Sequence, residues 1–216
     1  MVHPHTDAVE AGILYLKELE NATDFILSTQ GHRTTIFTKP AGPDKPTTMP
    51  ICKGQARLAR PDITLDQVLS SLRNAEVRKK WDKRFEGMEL IESYSEDRSE
   101  GLIHSLQHGQ WPVVSGRDFC LVIKVFQESS EKGYVVFVSV VDDKVPLVKG
   151  RVRGHIYCVG WVVEKAADHG WDLTYFSHLD PVGLPSTLTA LIATETPACA
   201  GTFASWIEKN GPMPSV

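Results

Sequence analysis

The sequence predicts an α+β fold: a strongly curved antiparallel sheet of about eight or nine strands gripping one long C-terminal helix. Three observations carry this. Between Gly87 and Asp180 strand-like runs follow one another, several alternating apolar with polar positions and joined by turns as short as "SSEKG" and "ADHG". Downstream, Leu188, Leu191, Ile192, Cys199, Phe203, Trp206 and Ile207 keep helical spacing over about five turns. The element order, helix, two strands, helices, strands and helix, gives one long helix for the sheet to close on, with room for a cavity between them.

In chain order, a first helix is expected from about Thr6 to Leu27, with Ile13, Leu16, Leu19 and Leu27 on its apolar face and Thr6 or Asp7 at its start. "RTTIFTK" reads as a strand. "PAGPDKPTTMP", with four prolines in eleven residues, must be a loop, and "ICKGQARLAR" resumes as a strand. "PDITLDQVLSSLRN" sets Leu65, Val68, Leu69 and Leu72 at i, i+3, i+4 and i+7 of a helix. Asn74 ends or bends it before the short helix "AEVRKKWDKRF". The strands that follow are "MELIESYS", "GLIHSLQH", "RDFCLVIKVFQ", "GYVVFVSVVDD", "RVRGHIYCVGWVVEK" and "WDLTYFSHLD". Pro197 should kink the closing helix.

With 216 residues the chain is most simply one domain, its core spanning residues 8–209, and a monomer is expected. A net charge of −4 argues against a nucleic-acid partner bound through the whole molecule's field. No run reaches the ~18 apolar residues of a spanning helix. The start, "MVHPHTDAVEAG", does not read as a secretory signal. Cys52, Cys120, Cys158 and Cys199 are scattered, with no C-x-x-C, which suggests a reduced, cytoplasmic protein. No nucleophile motif, metal-ligand cluster or glycine-rich phosphate loop stands out, so no catalytic residue, metal or cofactor is expected. His104, His108, His155 and His178 read as hydrogen-bonded strand histidines.

The stretch "RKKWD", Arg78 to Asp82, follows the second helix. After it come "WPVVSGRDF", "VRGHIYCVGWVVE" and "LTYFSHLDPVGLPSTL", each entering or forming a strand or leading into the last helix. In this order and spacing, from Ala8 to Lys209, they resemble the START domain, a lipid-transfer module with a helix-grip fold. The resemblance implies one lipid held in an internal tunnel, the C-terminal helix as lid, and no catalytic group.

Selection among lipids must come from polar side chains in the tunnel. Each methylene is worth ~0.8 kcal/mol against water, but that term nearly cancels between bilayer and protein. Arg78 and Asp82 read either as an exposed i, i+4 pair or as a phosphate site, Arg78 binding the ligand and Asp82 orienting it. The phosphatidylcholine-binding branch of the family uses an arginine and an aspartate at this spacing. Likeness to that branch turns Lys79 and Lys80 outward and packs Trp81 in the wall. Tyr157 and Phe119 match two aromatic positions of its choline cage, while Ser105 stands where a tryptophan is expected, so the cage is incomplete. Trp111 completes it only if its strand turns it inwards. The acid–arginine pair of sterol-binding members would fall at His104 and Ile123 and is absent. Ceramide binding would use Asp82 and Tyr175, with amide partners near Ser105 and at Phe137, which cannot supply one. The expected ligand set is therefore Arg78, Asp82, His104, Ser105, Phe119, Tyr157 and Tyr175, with a phospholipid such as phosphatidylcholine favoured over ceramide or sterol. Arg117 reads as a structural ion-pair or loop-anchoring residue.

The gate should comprise Val145, Leu147 and Val148, set between basic residues in "KVPLVKGRVR" and suited to transient contact with an anionic membrane surface. Leu188, Leu191 and Ile192 form the inner stripe of the lid. Two rival classes remain at this point: a ligand-gated sensor, and a cyclase-like enzyme using His104 with Asp82.

Overall fold

Alternation of apolar residues builds one sheet with two covered faces. The computed structural model describes residues 2–31, 33–43, 47, 49–109, 114–184 and 186–213; the side chains of residues 186, 187, 190 and 191 are outside that set. Ten strands belong to the sheet among the described residues. They are β1 (Ile26–Gln30), β2 (Thr35–Lys39), β3 (Ile51–Leu58), β4 (Phe85–Ser93), β5 (Glu100–Gln107), β6 (Arg117–Ser129), β7 (Lys132–Ser139), β8 (Val152–Arg153), β9 (His155–Lys165) and β10 (Trp171–Asp180). The order across the sheet is β1-β2-β3-β10-β9-β7-β6-β5-β4, antiparallel throughout, with β8 alone pairing parallel to β6. The expected curved antiparallel sheet and closing helix are both present.

Helix α1 (Thr6–Asn21) lies on the outer face, over β7 and β9. Its Val9, Leu16 and Leu19 join Cys120, Val122 and Phe176 in an outer core. On the inner face, Phe119, Leu121 and Ile123 of β6 join Trp161 of β9 and Phe203 and Ile207 of the last helix. Successive residues of β6 thus serve opposite faces.

The first helix stops earlier than its apolar spacing suggests. Asn21 donates from Nδ2 to the Lys17 carbonyl at 2.7 Å, and Ala22 turns to extended backbone. Ile26 and Leu27 pair with Thr38 and Phe37 as β1, both exposed. Leu27 fits the helical spacing but is a strand residue: pairing with β2 decides the conformation.

Helix α2 (Leu65–Arg73) starts on a capping box that the T-x-x-Q of Thr64 and Gln67 makes possible. The Thr64 hydroxyl accepts from the Gln67 amide, and the Gln67 side chain accepts from the Thr64 amide. Asn74 ends α2 and caps α3 (Ala75–Trp81) by accepting from the Val77 amide at 3.0 Å. The run expected as one strand over residues 151–165 divides at Gly154. A Cβ there would stand 2.4 Å from the Phe119 ring, so only glycine passes this point without displacing the ring.

The closing helix breaks where proline predicts, into α4 (Ser186–Glu195) and α5 (Cys199–Asn210), with Thr196, Pro197 and Ala198 between. The break lies against β3: a Cβ on Gly54 would meet the Pro197 carbonyl oxygen at 2.2 Å. Gly54→Ala is therefore expected to push the helix break off the sheet and cost about 1–3 kcal/mol. Urea denaturation checks this, and a change too small to resolve would show that the break shifts freely.

Candidate functional site

A cavity of about 310 Å³ lies between the inner face of the sheet and α4. Phe119 and Leu121 of β6, Phe137 of β7, and Ile156 and Val159 of β9 form its apolar wall. Leu188 and Ile192 face it from α4. Its polar lining includes Arg78, Arg84, Ser105, Arg117, Tyr175 and Thr196.

Arg78 reaches this lining because α3 ends there. The Asp82 amide donates to the Arg78 carbonyl at 2.9 Å, closing the last turn, and brings the two side chains onto one side. Arg78 donates from Nε and Nη2 to Asp82 Oδ2 at 3.2 and 3.1 Å. Asp82 Oδ1 accepts from the Arg84 amide at 3.2 Å, and Arg84 Nε lies 3.6 Å from the same oxygen. Lys79 and Lys80 are exposed, while Trp81 is buried edge-on to Trp161 and Phe203. The Arg78 guanidinium sits 4.5 Å from the Phe85 ring centre and 6.0 Å from that of Phe137. An i, i+4 pair in this setting is part of a cavity wall rather than a solvated surface pair.

Burial pushes the Asp82 carboxyl up. The attraction of Arg78 and then Arg84, with their hydrogen bonds, outweighs that and holds it below the ordinary carboxyl value. Tyr175 is fully enclosed, and its hydroxyl donates to no described residue. Burial pushes its ionisation well above that of an ordinary tyrosine, so it is a neutral donor. Chemically the polar lining offers guanidinium groups and hydroxyls, backed by one buried carboxylate already engaged by cations. Among the described residues no cluster of histidine, cysteine or acidic side chains could hold a metal ion.

The structure brings Arg78, Ser105, Phe119 and Tyr175 together at the cavity, with Asp82 directly behind Arg78. It does not bring His104 or Tyr157 there. His104 is one residue from Ser105 and so faces the other side of β5, where its Nε2 meets Asp118 Oδ2 at 3.1 Å. Tyr157 sits at a β-bulge: His178 pairs with Cys158 and Leu179 with Ile156, leaving Tyr157 out of register. Its ring packs on His178 at 4.7 Å and His155 at 4.6 Å. Trp111 and the Leu191 side chain lie outside the described residues.

Val145 is corrected too. It is buried in the outer core, and its amide donates to the Asp142 carbonyl at 3.1 Å, so it anchors its loop instead of presenting itself to a membrane. Leu147 is 75% exposed and Val148 partly so. Arg153 holds this segment by donating to the carbonyls of Val145 and Pro146 while paired to Asp118 at 2.7 Å. Of the two roles expected for Arg117, the structure shows the loop anchor: it donates to the carbonyls of Pro181 and Val182, pairs with no described carboxylate, and also lines the cavity. Arg84 escaped the sequence reading altogether. Its Nη1 and Nη2 donate to the hydroxyl and carbonyl of Thr196, in the break between α4 and α5.

The START domain family model matches residues 61–203, well over half of the chain, and the chain belongs to the START domain family. Among solved structures, human StAR-related lipid transfer protein 5 superposes with a TM-score of 0.79 at 20% identity, over 95% of this chain and 96% of its own. Human STARD10 gives 0.72 at 16%, over 97% and 84%. A STAR-related lipid transfer protein fragment from Xanthomonas axonopodis gives 0.67 at 25%, over 86% and 97%. At these identities the human structures speak to the shared helix-grip fold. No curated protein matches the chain. No described helix is long and apolar enough to cross a membrane.

Because Asp82 ionises below its ordinary value of 3.8 in the fold, its charge stabilises the protein above that value, and the contribution is lost as pH falls through the folded value. Asp82→Asn is expected to lower stability by about 3 kcal/mol at pH 6, by leaving two cations without their acid. The gap to wild type should narrow below pH ~4. Denaturant titrations across this range check it, and a pH-independent gap would show that the carboxylate's charge is not what matters.

Proposed function

We propose that this protein binds one lipid in the cavity and carries it between membranes, and that the lipid is a glycerophospholipid whose phosphate rests on Arg78. The observation that supports this most is a guanidinium on the wall of an apolar cavity, held in place by a buried carboxylate. A phosphate diester offers Arg78 the charged acceptor that suits its fork of donors, while the acyl chains take the apolar wall. No chemical step is required of any side chain, and the protein acts as a carrier rather than an enzyme.

Phosphatidylcholine is the head group that the R-x-x-W-D spacing favours in this reading, but its aromatic cage is weakened, since Tyr157 lies on the opposite face and Ser105 replaces an aromatic. Ceramide fits less well: both Asp82 oxygens are already engaged by Arg78 and by the Arg84 amide. The sterol pair is replaced by His104 and Ile123. In the same reading α4 is the lid, and Leu147 and Val148 touch the membrane between Lys144 and Lys149. The four cysteines are free and buried, which suits a reducing compartment. In the same reading the carrier works as a monomer in the cytoplasm and meets membranes transiently.

The protein, incubated with mixed liposomes and re-isolated, is expected to hold one phospholipid per chain by native mass spectrometry. Arg78→Leu should lose at least about tenfold in retention, the loss of a charge-assisted contact. A bound sterol or ceramide, or a phospholipid retained by the variant, would contradict the assignment. Replacing Leu147 and Val148 together with Asp should slow vesicle-to-vesicle transfer several-fold with binding intact, and an unchanged rate would remove this segment from the gate.

A further inference from the structure

The polar lining carries more positive charge than its acids neutralise. Arg78 and Arg84 share the one carboxylate of Asp82, Arg78 through two bonds to Oδ2 and Arg84 only from 3.6 Å at Oδ1. The rest of the Arg84 guanidinium is spent on neutral acceptors, the hydroxyl and carbonyl of Thr196. Arg117 is buried and donates to backbone carbonyls of Ser115, Pro181 and Val182; among the described residues no carboxylate pairs with it. Lys83 also lines the cavity, at its exposed rim, and makes no ion pair with a described residue, so the buried excess charge rests on the arginines. Against these cations stand Asp82 and one lining acid, the exposed Glu195 at the end of α4. His108, also on the wall, faces Glu86 at 3.4 Å. The result is a positive pocket in a protein whose net charge is −4.

Charge held in a poorly hydrated cavity draws a counter-charge from whatever fills it. The aromatic faces do not reverse this preference. Arg78 already lies 4.5 Å from the Phe85 ring centre and 6.0 Å from that of Phe137. Tyr157 is on the far side of the sheet. A quaternary ammonium entering here would find the rings of Phe119, Phe137 and Tyr175 beside arginines whose charge repels it.

We propose that Arg84 is a second phosphate ligand, and that it makes the cavity select glycerophospholipids of net negative charge over zwitterionic phosphatidylcholine. This rests on the carrier reading with a phosphate at Arg78. Both guanidinium groups reach the same carboxylate, so a phosphate accepted by Arg78 stands next to Arg84. It offers Arg84 a charged acceptor in place of the neutral oxygens of Thr196, and the charge-assisted bond is the stronger one.

The test is competitive extraction. The protein is incubated with vesicles holding equal amounts of phosphatidylglycerol and phosphatidylcholine with matched acyl chains, re-isolated, and its bound lipid quantified by mass spectrometry. Wild type should retain phosphatidylglycerol over phosphatidylcholine by at least about tenfold. Arg84→Gln should bring the ratio within about twofold while phospholipid binding through Arg78 persists. Arg84→Lys, which keeps the charge and guards against a folding defect in the first variant, should keep most of the preference. Equal retention by wild type, or a preference for phosphatidylcholine, would overturn the charge selection and leave the carrier reading standing. A ratio unchanged in Arg84→Gln would remove Arg84 as a ligand. A wild type that retains neither lipid would overturn the carrier reading on which the inference rests.

Discussion

A carboxylate buried beside an apolar cavity persists only where cations meet it, and two meet Asp82: Arg78 from α3 and Arg84 from the turn into β4. Asp82 is the residue on which α3 ends. Its backbone carbonyl accepts from the Phe85 amide at 3.0 Å as β4 begins, and its side chain holds Arg78 and the Arg84 amide. Arg84 then reaches across to Thr196, where the closing helix breaks. The turn from helix to strand, the orientation of Arg78 and the seat of the break between α4 and α5 therefore depend on one ion cluster. The desolvation of Asp82 is large, and the paired arginines offset it.

Around that cluster, the sheet keeps two kinds of chemistry apart by one residue step. On β5 and β6, Ser105 and Phe119 face the cavity while His104 and Asp118 face outward. The outward pair joins Arg153, which holds the 145–146 backbone, and the inward Arg117 holds the 181–182 backbone. The 181–182 segment beside the cavity and the 145–146 segment on the outer face are thus each anchored by an arginine on carbonyl oxygens. Motion of the exposed tip at Leu147 can then occur without loosening Val145, which is fixed in the outer core.

Much of the architecture could be read directly from residue spacing. The strand runs after Gly87, the i, i+3, i+4, i+7 pattern of Leu65 to Leu72 and the break at Pro197 are local signals, and each resolves as expected. Leu27 misled because helical spacing does not exclude strand pairing, and Gly154 because its constraint is a ring on a neighbouring strand. In the cavity, Arg78 and Asp82 were legible through their fixed spacing on a helix end. Tyr157 was not, since the bulge beside it inserts one residue and turns its side chain to the other face. Arg84 was hidden for a different reason: its partner Thr196 lies far along the chain, and no local pattern marks such a contact. The only hint was a cation two residues after Asp82.

The central claim is that Arg78, held by Asp82, receives a lipid phosphate inside the cavity. The most direct measurement is a crystal structure of the protein re-isolated from phospholipid vesicles. The account predicts a phosphate oxygen within hydrogen-bonding distance of the Arg78 guanidinium, with acyl chains running along Phe119, Leu121 and the inner face of α4. A phosphate at the cavity mouth, with Arg78 still bound only to Asp82, would contradict it.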